Sequence, residues 1–426
     1  MEKQVIKSSV LGEEYYFYRH KSGLGILLYP MKGFSSAYAL FGTNYGSIDT
    51  IFKTQHDDDF LTVPEGIAHY LEHKLFESED GDAFSLFAKT GASANAFTSF
   101  EKTCYLFSTT SNFDESLKAL MTFVQDPYFT DQNVQKEQGI IGQEIRMYED
   151  DPGWRVFFNL LTALYHNNPV RIDIAGTIES IAQIDKDLLY RCYNTFYNLN
   201  NMVVCIAGNF DEESAAKLIE ENLKDCEKIE VTVKTPDEPE TVVENEHVQN
   251  LQVAIPLFNI GYKERVPDPR DELHTQIRSE LILRAIAGRG SDLYRELYEE
   301  GLINDTFGKE VFCGRGYFVN VFSGESKDPG KVRAKIDQRI QEYKKIGIDP
   351  ETFERVRKAL YGDAVVSFND VEQVANELVT AYFSGRGLYD TLDVIAKVTC
   401  EEVNDLLRNS FRSEHSAISI INPVQK

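Results

Sequence analysis

Positive charge is in short supply in this 426-residue chain: 44 Lys and Arg stand against 68 Asp and Glu, a formal net charge of −24. With a pI near 4.8, the balance argues against nucleic acid or an anionic membrane surface as partner. It favours cationic partners or plain solubility. Long apolar runs are also missing. No stretch approaches a membrane span, and Met1 to His20 carry no apolar signal core, so a cytoplasmic location is expected. Cysteine is sparse and scattered (Cys104, Cys192, Cys205, Cys226, Cys313, Cys400), with no C-x-x-C pair. That excludes a disulfide framework and a zinc ribbon, and Cys205 and Cys313, in apolar runs, read as inert buried thiols. A phosphate loop is absent too, Gly288-Arg289-Gly290 being no more than a turn between helices. What is present, 42% apolar and 26% charged residues, describes an ordinary globular protein too long for one core. Two domains are expected.

The stretch that carries chemistry is Val63-Pro64-Glu65-Gly66-Ile67-Ala68-His69-Tyr70-Leu71-Glu72-His73-Lys74-Leu75-Phe76. Pro64 suits a first helical turn, and Ile67, Leu71 and Leu75 recur at helical spacing. On that helix His69 and His73, four apart, share a face, which is how two imidazoles reach one zinc ion. Glu72 projects over the same face and can serve as general base to a water molecule there. The order H-x-x-E-H is that of the inverzincins. A lone helical histidine is more often surface or satisfied core, but two in register with a glutamate weigh against that reading. Zinc needs a third protein ligand. In a second expected helix, Glu137 to Tyr148, Glu137 and Glu144 lie two turns apart on one face. Glu144 is a candidate ligand and Glu137 a candidate acceptor for a ligating imidazole. Glutamate pairs on helices are more often merely solvated.

The arrangement resembles the pitrilysin, insulysin and mitochondrial processing peptidase family of zinc peptidases, which carries H-x-x-E-H followed downstream by two glutamates seven apart. Here Glu144 follows His73 by 71 positions. Gly91 to Thr98 is similar to the family's substrate-binding edge strand, and Pro169, Gly176-Thr177-Ile178 and the strand from Met202 to Gly208 also fall where the family has similar stretches. The likeness spans essentially the whole chain and is nearest to the short bacterial, processing-peptidase-like members. It implies one Zn2+ per chain held by His69, His73 and Glu144, with Glu72 as catalytic base and Glu137 orienting a histidine. It further implies peptide binding along Ala94, Asn95, Ala96 and Phe97, although ordinary strand packing explains Asn95 and Phe97 equally well.

Read in order, strands are expected at Tyr15–His20, Gly25–Pro30 and Ser36–Thr43. Helices are expected at Asp82–Thr90, Asp114–Gln125, Asp131–Asp150, Pro152–Tyr165 and near Lys186–Phe196, with strands near Ala94–Thr98, Thr103–Ser108 and Met202–Ala207. Residues 226–246 hold seven acids, two lysines and two prolines, a linker composition with a possible short strand at Ile229–Val233. Beyond it the order repeats, with a strand at Gln252–Tyr262, a helix at Asp268–Ala287 and a last strand at Ser416–Asn422. The expected fold is α+β: a zinc-bearing domain at 1–225, an acidic linker at 226–246 and a similar domain without the motif at 247–426. Each would have a mainly antiparallel sheet covered by helices, the two forming a clamshell over a chamber.

One departure from the family stands out. Its second half presents an arginine and a tyrosine to substrate in a stretch like L-R-E-x-G-L-x-Y, where this chain has Tyr298 and Asn304. Arg295, one turn away, is a poor substitute. The resemblance then implies a metalloendopeptidase that works with a paralogous subunit supplying the missing pair, or else a homodimer. A non-catalytic scaffold subunit is the alternative, against which the complete motif speaks.

Overall fold

In the computed structural model, which describes residues 1–79 and 81–424, the chain divides into two compact units. The first comprises residues 1–145, 173–234 and 365–389; the second comprises 146–172, 235–364 and 390–426.

The first unit is built on a seven-stranded sheet in the order Glu2–Lys7, Glu14–Arg19, Gly25–Pro30, Met202–Gly208, Ala37–Thr43, Thr103–Thr109, Ser93–Thr98. Every neighbouring pair is antiparallel except Met202–Gly208 with Gly25–Pro30. The central strands are buried along their length, as expected where helices cover a sheet. The second unit repeats five of these strands in the same connectivity: Glu246–Leu251, Ser416–Pro423, Leu257–Lys263, Tyr317–Glu325, Gly308–Gly314. Here too the last strand in sequence pairs parallel with the first and antiparallel with the second. The repeat expected from element order is therefore a repeat of topology, and the α+β class with antiparallel-dominated sheets holds.

The domain boundaries run differently from a division at 226–246. The helix Val371–Phe383 packs on the strands Met202–Gly208 and Ala37–Thr43 of the first unit, while Pro152–Leu164 packs on Ser416–Pro423 and Leu257–Lys263 of the second. Each sheet thus takes a helix from the other half of the sequence. Val374, Ala375, Leu378 and Val379 share a core with Leu40, Cys104, Val203 and Cys205. Glycine permits the close approach in both units: a Cβ on Gly25 would lie 2.6 Å from the Tyr382 ring, and one on Gly261 2.9 Å from Leu164.

The acidic segment is also no free tether. Val231–Val233 pairs with Ile51–Thr54, within the expected short strand. Glu238 accepts from the backbone N–H of His166, Asn167 and Asn168. The Lys263 ammonium, buried in the same unit, holds Glu238 at 2.6 Å and the carbonyls of Leu164, Pro239 and Thr241. Acidic composition signals solvation only where no buried cation meets it. Of the expected strand Gln252–Tyr262 only the later part is strand, Leu257–Lys263; residues 252–256 are irregular, and a separate strand, Glu246–Leu251, precedes them. Among the described residues no helix is long and apolar enough to cross a membrane.

Candidate metal centre

The helix Ile67–Leu75 begins later than Pro64 led us to expect, because Gly66 caps it in the left-handed region with φ 87°. Glycine is required there for a second reason: a Cβ would meet Ala175 O at 2.4 Å. A Cβ on Gly176 would likewise meet Glu65 O, at 2.6 Å, and Ser180 Oγ donates to Glu65 O at 2.9 Å. The Gly176-Thr177-Ile178 stretch thus clamps the entry of the histidine helix. Ile67, Ala68, Tyr70, Leu71 and Leu75 are buried. Tyr70 donates to Val134 O and so ties this helix to the helix Asp131–Glu149.

That contact turns the two motif faces towards each other. His69 Nε2 lies 3.6 Å from Glu144 Oε1, and His73 Nε2 lies 3.3 Å from Glu144 Oε2. Donor atoms of His69, His73 and Glu144 lie within 4.8 Å of one another, so the three could hold a metal ion. On the far side of its ring, His73 Nδ1 sits 3.1 Å from Glu137 Oε1. A protonated Nδ1 donating to that carboxylate leaves the Nε2 lone pair facing Glu144, the tautomer a ligand needs. His69 Nδ1, by contrast, has no hydrogen-bond partner among the described residues. The donor set fits zinc, with two imidazoles and a carboxylate leaving a fourth position open.

The electrostatics follow from burial and neighbours. Burial, reinforced by His73, lowers His69 to about 4, so its imidazole is neutral at pH 7. Burial pulls His73 the same way but is outweighed by hydrogen bonds to Glu137 and Glu144, which raise it to about 10. A cation arriving between these groups must displace that proton. Burial raises Glu72, against the opposing hydrogen bond from Thr98 Oγ1 at 2.7 Å on its Oε2. Glu137 is held below the usual carboxylate range, because His73 and Lys74 outweigh its burial.

The strand Ser93–Thr98 is the edge of its sheet, paired with Thr103–Thr109 on one side, and the histidine helix packs against it. Asn95 is exposed, and its Oδ1 accepts from the following amide, Ala96 N, at 2.9 Å; Ala94, Ala96 and Phe97 are half-buried. In the second unit Tyr298 is exposed and stacks on Tyr294, while Asn304 is spent locally, donating to Glu325 and accepting from Thr306 N. Arg295 is paired with Asp292 on its own helix. Two contacts escaped the sequence reading. Thr98 on Glu72 left no signal in a linear pattern. Lys74 left one, a lysine three residues after Leu71 on the apolar face of its helix, and it is fully buried.

The family model described as Insulinase (Peptidase family M16) matches residues 63–178, and that described as Peptidase M16 inactive domain matches residues 183–360. The chain is 38% identical over 423 residues, 98% of it and 99% of the relative, to a Bacillus subtilis protein named uncharacterized zinc protease YmfH. Among solved structures it is similar to a putative M16-like peptidase from Alicyclobacillus acidocaldarius, with TM-score 0.94, 34% identity, and coverage of 98% of this chain and 100% of that one. A protease from Helicobacter pylori shares the fold, with TM-score 0.81 at 18% identity over 96% of this chain and 99% of that one. The chain belongs to peptidase family M16, the pitrilysin-like zinc peptidases.

Proposed function

We propose that this chain is a zinc-dependent metalloendopeptidase that cleaves peptides or small unfolded polypeptides held as an extended strand. The observation that carries the reading is the convergence of His69, His73 and Glu144 beside a half-buried glutamate, Glu72, on the same helix. His69, His73 and Glu144 would hold one zinc ion, with Glu137 fixing the His73 ring. Zinc, when bound, supplies Lewis acidity towards a scissile carbonyl and acidifies water. Glu72 acts as general base: burial brings its basicity nearer to neutral pH, and the Thr98 hydroxyl occupies Oε2, leaving Oε1 to take a proton and pass it to the leaving amine. The free edge at Ala94, Asn95, Ala96 and Phe97 accepts the peptide backbone by strand addition, which gives affinity with little demand on sequence. The acidic surface favours basic peptides. We place the reaction in the cytoplasm; the thiols of Cys104, Cys192, Cys205, Cys226 and Cys400 are free, in keeping with a reducing compartment.

The test is Glu72→Gln. Zinc content is expected to stay near one per chain while hydrolysis of a mixed peptide library falls by about 10²–10⁴. Wild-type turnover in that variant, or wild-type protein that takes up no zinc, overturns the reading.

A further inference from the structure

Lys74 is fully buried, its side chain 0% exposed, one residue beyond a candidate ligand. A buried ammonium is costly unless its surroundings use it. Among the described residues its partners are two carboxylates: Glu77 Oε2 at 2.5 Å and Glu137 Oε2 at 3.6 Å. Glu77 in turn holds Lys136 at 3.2 Å on the surface, and Glu137 Oε1 holds His73 Nδ1. A line of alternating charge therefore runs from the surface through Lys136, Glu77, Lys74 and Glu137 to His73, across two helices and the short strand between them. The division of labour on Glu137 is the informative detail. Lys74 draws Oε2, which turns Oε1 to the imidazole. Of the two histidines, His73 has this support, while His69 Nδ1 lacks a partner among the described residues.

We propose that Lys74 is a positioning residue of the metal centre: it fixes the Glu137 carboxylate so that His73 presents Nε2 to the ion. This rests on the zinc reading above. Without the ammonium, Glu137 keeps its place in the chain but loses what holds Oε2, and its carboxylate is free to rotate away from His73. The consequence is read in metal affinity. Loss of a group that orients a ligating histidine costs about 10–100-fold in zinc affinity.

The experiment measures zinc affinity of the full chain by competition with a chromogenic chelator in a double-mutant cycle of Lys74→Met and Glu137→Gln. Lys74→Met alone is expected to weaken zinc by about 10–100-fold, and to weaken it little further in the Glu137→Gln background, because both act through one carboxylate. A general packing defect would instead give the same factor in both backgrounds, and that result overturns the proposal. So does an affinity within twofold of wild type in Lys74→Met. Should Lys74→Met fold poorly, the pair Lys74→Met with Glu77→Gln leaves no orphan at Glu77 and is expected to show the same loss. Glu77→Gln alone keeps the Lys74–Glu137 contact and should keep wild-type affinity; a loss there as large as in Lys74→Met also overturns the proposal. A wild type that binds no zinc overturns the metal-centre reading itself, whereas tight wild-type binding beside an unaffected Lys74→Met variant overturns the role of Lys74 alone.

Discussion

At the scale of single residues, the centre works by giving each carboxylate two jobs on two oxygens. Glu144 faces a different histidine with each oxygen. Glu137 faces His73 with one and Lys74 with the other. Glu72 receives the Thr98 hydroxyl on Oε2. Thr98 is the member of this set whose loss can be read most cleanly, because valine replaces it with nearly the same shape. Thr98→Val removes a donor from a half-buried carboxylate, an interaction worth about 1.5–3 kcal/mol with a charged acceptor. A lower kcat with zinc content unchanged is expected, and the pH at which activity rises should move upward, since the hydrogen bond lowers Glu72 and its loss leaves burial unopposed. A pH profile identical to wild type would show that Thr98 does not act on Glu72.

At the scale of elements, the site is the meeting of two helices and a strand edge. Glu137 and Glu144 occupy one face of Asp131–Glu149 at a two-turn interval, yet they differ in what they reach. Glu144→Gln is expected to weaken zinc binding far more than Glu137→Gln, whose cost should be about 10–100-fold. Equal, small effects in metal titrations would place the third ligand elsewhere. In the second unit an element contact predicts a pH effect on stability. Burial pushes Glu264 up to about 7, against hydrogen bonds from Phe411 N and Asn320 Nδ2. The folded state then binds more protons than the unfolded one between about pH 4.5 and 7. Glu264 thus contributes stability below that window and loses it as pH rises through 7. Glu264→Gln should flatten the fall in denaturation midpoint between pH 5 and 8. A slope equal to wild type's would exclude the assignment.

At the scale of the whole molecule, the described residues hold one metal-type cluster and two copies of one topology. The second copy lacks the motif and, at Tyr298 and Asn304, lacks the arginine and tyrosine its resemblance leads one to expect. Asn304 is committed to Glu325 and Thr306 and Arg295 to Asp292, so neither side chain is idle. Missing donors to a developing oxyanion typically cost about 10²–10³ in rate. The purified chain alone is therefore expected to hydrolyse a peptide library slowly, and addition of a paralogous subunit that has both residues should raise the rate by a factor of that order. Full activity from the chain alone, unchanged by the added subunit and by Arg→Ala within it, would rule this partnership out in favour of a homodimer.

Much of this was legible in the sequence, and for a definite reason. Helical spacing of 3.6 residues is a property of the local backbone, so the register of His69, Glu72 and His73, and that of Glu137 and Glu144, followed from counting. The bounds of strands such as Gly25–Pro30 and of the helix Lys186–Phe196 followed from pattern in the same way. What counting cannot supply is which faces meet. The start of the histidine helix at Ile67 rather than Pro64 depends on Gly66 lying against Ala175, a contact across more than a hundred residues. The exchange of Val371–Phe383 and Pro152–Leu164 between the sheets, the reach of Thr98 to Glu72 and the burial of Lys74 against Glu137 are of the same kind. Each is decided by apolar surfaces finding shape-matched partners distant in sequence, and that matching exists only once the chain is folded.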